Sequence, residues 1–151
     1  MLARGFAVAL AASTTIVGCM ATNDNAQSVR IAVEERDPVA VQRAVAARRG
    51  LEERDESGNT PLLIALASGQ FVIAEILIKG GADVWAHDEF GLTAGHRIAA
   101  NPFDPGSVEG DAKQRVIELL SARGFPRQPP PQAEVLRLDA ANGWPPRHQE
   151  R

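Results

Sequence analysis

The chain has 151 residues, 44% of them hydrophobic and 23% charged, which bounds it at one modest domain with short extensions and excludes a fully disordered polypeptide. Its 16 Lys and Arg stand against 19 Asp and Glu, so the formal net charge of -3 lacks the basic excess expected of a nucleic-acid binder. With a single cysteine the chain cannot close an internal disulfide, and apolar burial has to hold the fold.

Arg4 gives a short positive start, and residues 5–17 form an uncharged, mostly apolar run. A helix needs roughly 20 residues to span a bilayer, so the run is too short to cross and fits the apolar stretch of a signal peptide. It ends in Ile16-Val17-Gly18-Cys19. This resembles the lipobox of bacterial lipoproteins. The resemblance implies cleavage between Gly18 and Cys19 and diacylation of the Cys19 thiol. The alternative is an ordinary secretory signal that leaves Cys19 free. The small Gly18 suits close approach of a peptidase, and the thiol is the one soft nucleophile available for acylation. Two acyl chains suffice for stable anchoring. Met20, in place of the Asp that retains enteric lipoproteins at the inner membrane, points to the periplasmic side of the outer membrane. The expected division is therefore 1–18 signal peptide and 19–27 lipidated cysteine with a polar tether. About eight tether residues reach at most ~28 Å.

The body repeats itself. Asp55, Gly58 and Thr60 recur as Asp88, Gly91 and Thr93, at an offset of 33 residues. The same offset carries Ile64-Ala65-Leu66 back to Ile31-Ala32-Val33. Thr60 reads as a helix N-cap with Pro61 at the first helical position, followed by an apolar helix through Leu66 and a stop at Gly69. Val72, Ile73, Ile76 and Leu77 sit at helical spacing in the next helix, which Gly80-Gly81 ends. Asp37-Pro38 starts a helix in the same way.

The middle copy, with Asp55, Gly58, Thr60, Pro61, Leu62, Ala65, Gly69, Gly81, Ala82, Asp83 and Val84, resembles the ankyrin repeat. The first copy has Arg48-Arg49-Gly50-Leu51 where Gly-Ala-Asp-Val is usual. The third has Ala94-Gly95 in place of Pro-Leu but keeps His96, which the family position implies bridges neighbouring loops. The resemblance covers 28–125, in units 28–54, 55–87 and 88–125. It implies an all-α fold: a short ankyrin-repeat solenoid of about three helix-turn-helix units joined by β-hairpin-like loops. An insert at 102–110 splits the last helix pair, and Asp111 to Gln114 reads as a capping box for the final helix. Residues 126–151 are Pro-rich, with a short helix around 133–142. They form either a disordered tail or a cap in which Val135, Leu136, Leu138 and Trp144 cover the third unit.

No catalytic constellation emerges. His87, His96 and His148 show no metal spacing, and no phosphate loop or calcium loop is present. Asp104, Glu109 and Asp111 are too sparse to make a site. The expectation is a non-enzyme without metal, cofactor or small-molecule substrate, apart from lipid on Cys19. The ankyrin resemblance implies a protein-binding face made of Arg54, Glu56, Ser57, Asn59, Ser68, Trp85, His87, Glu89 and Phe90; for Trp85 the alternative is packing against a neighbouring hairpin for stability alone. The expected partner is another protein at the cell envelope, and no nucleic acid. Such an anchored binder is similar to immunity proteins that inhibit secreted lipases. An envelope adaptor is the alternative, and a small hydrolase using His87 is a third.

Overall fold

The computed structural model describes residues 27–146. The expected signal segment, the Gly18/Cys19 cleavage and lipidation site, most of the tether, and His148 lie outside them. Seven helices follow in order: α1 (Val29–Glu34), α2 (Pro38–Ala46), α3 (Pro61–Ala67), α4 (Phe71–Lys79), α5 (Ala94–Ala100), α6 (Val108–Ala122) and α7 (Gln132–Ala140). Helices α1/α2, α3/α4 and α5/α6 are the three repeat units. The fold is all-α, and the loop before α5 carries one antiparallel bridge, His87 to Thr93.

Each early helix starts where its cap residue places it. Ser28, Asp37 and Thr60 accept backbone N–H bonds at the starts of α1, α2 and α3, and proline opens α2 and α3. The pairs stack through one continuous core that includes Val29, Val33, Val41, Leu62, Leu66, Phe71, Leu77, Ile78, Ala94, Val116 and Leu120. No single helix pair could bury this surface alone.

The wear in the first copy has a backbone signature. Gly69 and Gly81 end α3 and α4 in the left-handed region, with φ of 69° and 98°. One repeat upstream, Arg36 and Arg48 hold φ of 58° and 52° in the same places. A side chain there costs about 1–2 kcal/mol that glycine avoids.

The insert differs from its sequence-based expectation. Helix α6 starts at Val108, with the Ser107 hydroxyl accepting from Gly110 N–H at 3.0 Å. Asp111 is therefore in the first helical turn and caps nothing in α6; its carboxylate accepts instead from Gly106 N–H at 3.1 Å. The added helical turn has a use. Gln70, at the start of α4, makes no side-chain cap bond. Glu109 supplies the cap from across the interface, accepting from Val72 N–H at 3.1 Å. Midway along, Arg115 Nε bonds Glu75 at 2.9 Å, and Lys79 pairs with the same carboxylate at 2.6 Å. At the far end Arg123 donates to the carbonyls of Ile78 and Ala82. Helix α6 thus grips α4 at both ends and the middle. Phe103, in the connecting loop, packs edge-on against Phe71 at 5.4 Å.

Two outcomes follow. Arg36→Gly and Arg48→Gly should each raise the urea midpoint by the equivalent of about 1 kcal/mol; unchanged or lower midpoints would show that these positions carry no strain. The bond from Lys79, opposed by burial and reinforced by Arg115, holds the Glu75 carboxyl below its ordinary value of 4.5. Its contribution is fully present above that value and is lost as pH falls through the lower folded value. Urea titrations from about pH 7 to pH 3 should show the wild-type losing more stability than Glu75→Gln, and equal losses would remove Glu75 from the acid response.

Candidate protein-binding face

The loops before α3 and α5 are built alike. Asp55 Oδ1 accepts from Ser57 and Asn59 N–H at 2.9 and 2.8 Å, and Asp88 Oδ1 accepts from Phe90 and Leu92 N–H at 2.9 Å each. Each carboxylate folds the loop back on itself. Burial raises the Asp55 pKa, but the N–H donors of Asn59 and Ser57 more than reverse that, and the group titrates below its ordinary value.

Polar links stitch one loop to the next. Arg54 Nη1 donates to the carbonyls of Gly58 and His87 at 2.7 Å each. Glu89 N–H donates to Ser57 O at 3.2 Å. Arg97 donates to buried Asp88 at 2.7 Å and to Asn59 Oδ1 at 3.0 Å. Glu52 accepts from Asp83 N–H at 2.8 Å, and its burial raises its pKa. The tips therefore form one rigid ridge.

These bonds sort the residues expected on the face. Arg54 and Asn59 hold the loops together, and Ser57 is half-buried. Ser68 is exposed at the end of α3, its hydroxyl donating to Ile64 O at 2.8 Å. Glu56 and Glu89 are exposed, and Phe90 keeps 59% of its surface in solvent.

Trp85 takes the packing alternative, and His87 differs from the surface display expected of it. Trp85 is half-buried between Phe125 and Trp144, with ring centroids 4.9 and 5.7 Å away. Trp144 Nε1 donates to Trp85 O at 2.7 Å. The His87 side chain is 15% exposed, with Nε2 3.6 Å from Asp139 of α7. Both have become part of a contact with the tail.

His96 also differs from its expected role. Its Nδ1 accepts from Thr93 N–H at 3.2 Å and lies 2.9 Å from the Thr93 hydroxyl, and a further hydrogen bond goes to the Pro130 backbone. Proline offers only a carbonyl there, so Nε2 carries the proton. Burial pushes the His96 pKa down, partly opposed by Asp88 and the Pro130 bond. The histidine ties its own helix start to the tail and does not bridge the loops.

Two glycines of the third copy, Gly95 in place of the middle copy's Leu62 and Gly91 equivalent to Gly58, fit this docking. A Cβ on Gly95 would lie 3.0 Å from Phe125 and 3.1 Å from Pro129. The equivalent Leu62 fills the core between units; at the last unit glycine leaves that space to the strap. A Cβ on Gly91 would come 2.6 Å from Gln132 O and 3.1 Å from Leu136, so α7 lies directly on the third tip. Val135 is fully buried there, while Leu136 stays 38% exposed. Leu136 packs on Gly91, as the cap reading expects, and still keeps 38% of its surface in solvent next to the loop that carries Phe90.

Among the described residues no group of three or more His, Cys, Asp or Glu could hold a metal, and no helix is long and apolar enough to cross a membrane.

The helix pairs and stitched loops define a helical-repeat binding scaffold. Residues 57–89 match the family model described as Ankyrin repeat. The chain is 38% identical over 93 residues to "NF-kappa-B inhibitor delta" of Mus musculus, covering 62% of this chain and 28% of that protein. It is 34% identical over 91 residues to "Potassium channel KOR1" of Oryza sativa subsp. japonica, covering 60% of this chain and 9% of the channel. The chain thus spans under a third of either relative.

Placing at 95 the leucine that the middle copy has at 62, with Gly95→Leu, should expel the strap. The Trp85/Trp144 pair should lose its near-ultraviolet circular dichroism while helix content falls only by about the α7 contribution; an unchanged aromatic signal would mean the slot is not needed.

Proposed function

We propose that the protein is a lipid-anchored, non-catalytic binding module of the bacterial cell envelope that holds a protein partner on its tip ridge and the adjoining concave face. The observation that carries this reading is the rigid, stitched ridge presenting Glu56, Glu89 and Phe90 to solvent, within a segment that matches a repeat used for protein binding. Exposed aromatics on a pre-ordered surface bind at low entropic cost.

Within this reading the partner is a protein that is blocked, as an immunity protein blocks a toxic effector. Support comes from the anchoring pattern at Gly18-Cys19 and from a relative that is by name an inhibitor. Lipidation at Cys19 would keep the start of the repeat domain within ~28 Å of a bilayer. An adaptor that delivers a partner to an envelope enzyme would use the same face.

Anchoring and binding are tested separately. Cys19→Ser should move the protein from the membrane fraction to the soluble periplasm and abolish labelling by radioactive palmitate; retained labelling would remove the anchor. Phe90→Ala should lower capture of an envelope partner by roughly tenfold with an unchanged melting temperature. Undiminished capture would take the ridge out of the binding surface.

A further inference from the structure

The tip ridge carries information about its partner. Phe90 and Leu136 are two of the large apolar side chains left in solvent, at 59% and 38% exposure. They come from different parts of the chain, yet α7 lies on Gly91, the residue next to Phe90, with Leu136 against it. Through Gly91, two partly exposed apolar side chains, one from the third loop and one from the tail, come to the same tip.

The charges beside this tip are unequal in availability. Arg54 is committed to two carbonyls, Arg97 to Asp88 and Asn59, and Arg30 to Glu34 and Glu53. Arg137, on α7, lies 3.8 Å from Glu134, and Asp139 faces His87. Glu56 and Glu89 occupy the same position in successive loops, are exposed, and have no side-chain partner among the described residues. The two loops have spent their arginines on their own carbonyls and carboxylates and offer free anions beside an apolar centre; Arg137 of α7, 70% exposed, is the one loosely held cation among those named.

We infer that the partner segment is cationic: an aliphatic or aromatic side chain seated on Phe90 and Leu136, with Lys or Arg on its flanks facing Glu89 and Glu56. The two carboxylates are one repeat apart, roughly 8–10 Å at helix-packing distance. An extended segment meets that spacing with basic residues three positions apart, and a helix with residues seven apart. Complementary charge steers the encounter and fixes the register, while the apolar centre supplies most of the affinity. The tail then has two jobs: Val135 and Trp144 cover the last unit, and Leu136 completes the binding surface.

This rests on the tip ridge being the binding face, and the test separates the two ideas. The full mature chain is immobilised and a phage-displayed random peptide library is selected on it. The expected result is peptides with Lys or Arg flanking a large apolar residue. Their affinity should fall roughly tenfold with Phe90→Ala or Leu136→Ala. It should also fall with the Glu56→Lys/Glu89→Lys double variant and with added salt. Phe90→Ala and the double Glu variant leave the melting temperature unchanged; Leu136→Ala lowers it through lost packing on Gly91, so affinities are compared where each variant is folded. Selected peptides that need Phe90 but show no basic bias would overturn the cationic partner and leave the ridge as the binding face. Peptides indifferent to every ridge substitution would overturn both.

Discussion

The grip of α6 on α4 is the contact on which the rest of the molecule depends. Helix α4 is the central helix of the stack and buries Phe71, Ile73, Ala74, Leu77 and Ile78. Burying each large side chain among these is worth about 1.5–3 kcal/mol, so apolar area supplies most of the stabilisation. The polar contacts at Glu109, Glu75 and Arg123 are worth about 1 kcal/mol each, or somewhat more where charged, and their role is different. Ridge packing alone would tolerate sliding one helix along the other. A cap at the first turn, an ion pair in the middle and a guanidinium on the last carbonyls fix a single register. That register in turn sets where α5 and the third loop stand, and so where the ridge is presented.

A three-unit stack has two apolar ends to cover. Here the C-terminal end is closed by the chain itself. Gly124 turns the chain out of α6, the prolines carry it across Gly95, and Val135 and Trp144 settle against the third loop. A further groove of about 700 Å³ stays open between α5, α6 and residues 125–128, where another unit would stack. The strap therefore substitutes for part of a fourth repeat and leaves the hairpin side better covered than the helix side.

Much of the architecture was legible in the sequence because its signals are local. A Thr-Pro or Asp-Pro pair before an apolar run starts a helix, and a glycine at a fixed offset ends it. Register across the chain was not legible in this way. Glu109 looked like a stray acid in an insert, since its N–H partner lies 37 residues away. Asp111 mimicked a cap because Gln114 follows at capping-box spacing, and only the packing of Ala112 and Val116 against the core shows that the helix began earlier. On the candidate face, the loop tips were readable from the repeat, as with Glu56, Glu89 and Phe90. Trp85 and His87 could not be assigned without knowing where Trp144 and Asp139 return. Gly95 was the available hint, because a small residue in place of the middle copy's Leu62 marks room left for something else.

The stitched ridge and the gripped helix pair belong to one mechanical unit, and a binding face of this kind is useful only if it is rigid before the partner arrives. Native-state hydrogen exchange tests that unity most directly. The amides of α3, α4, α5 and α6 should exchange through one common opening, with α4 among the slowest and α6 no faster than α4. Rapid local exchange of α6 while α4 stays protected would contradict the grip, and with it the basis for a fixed ridge.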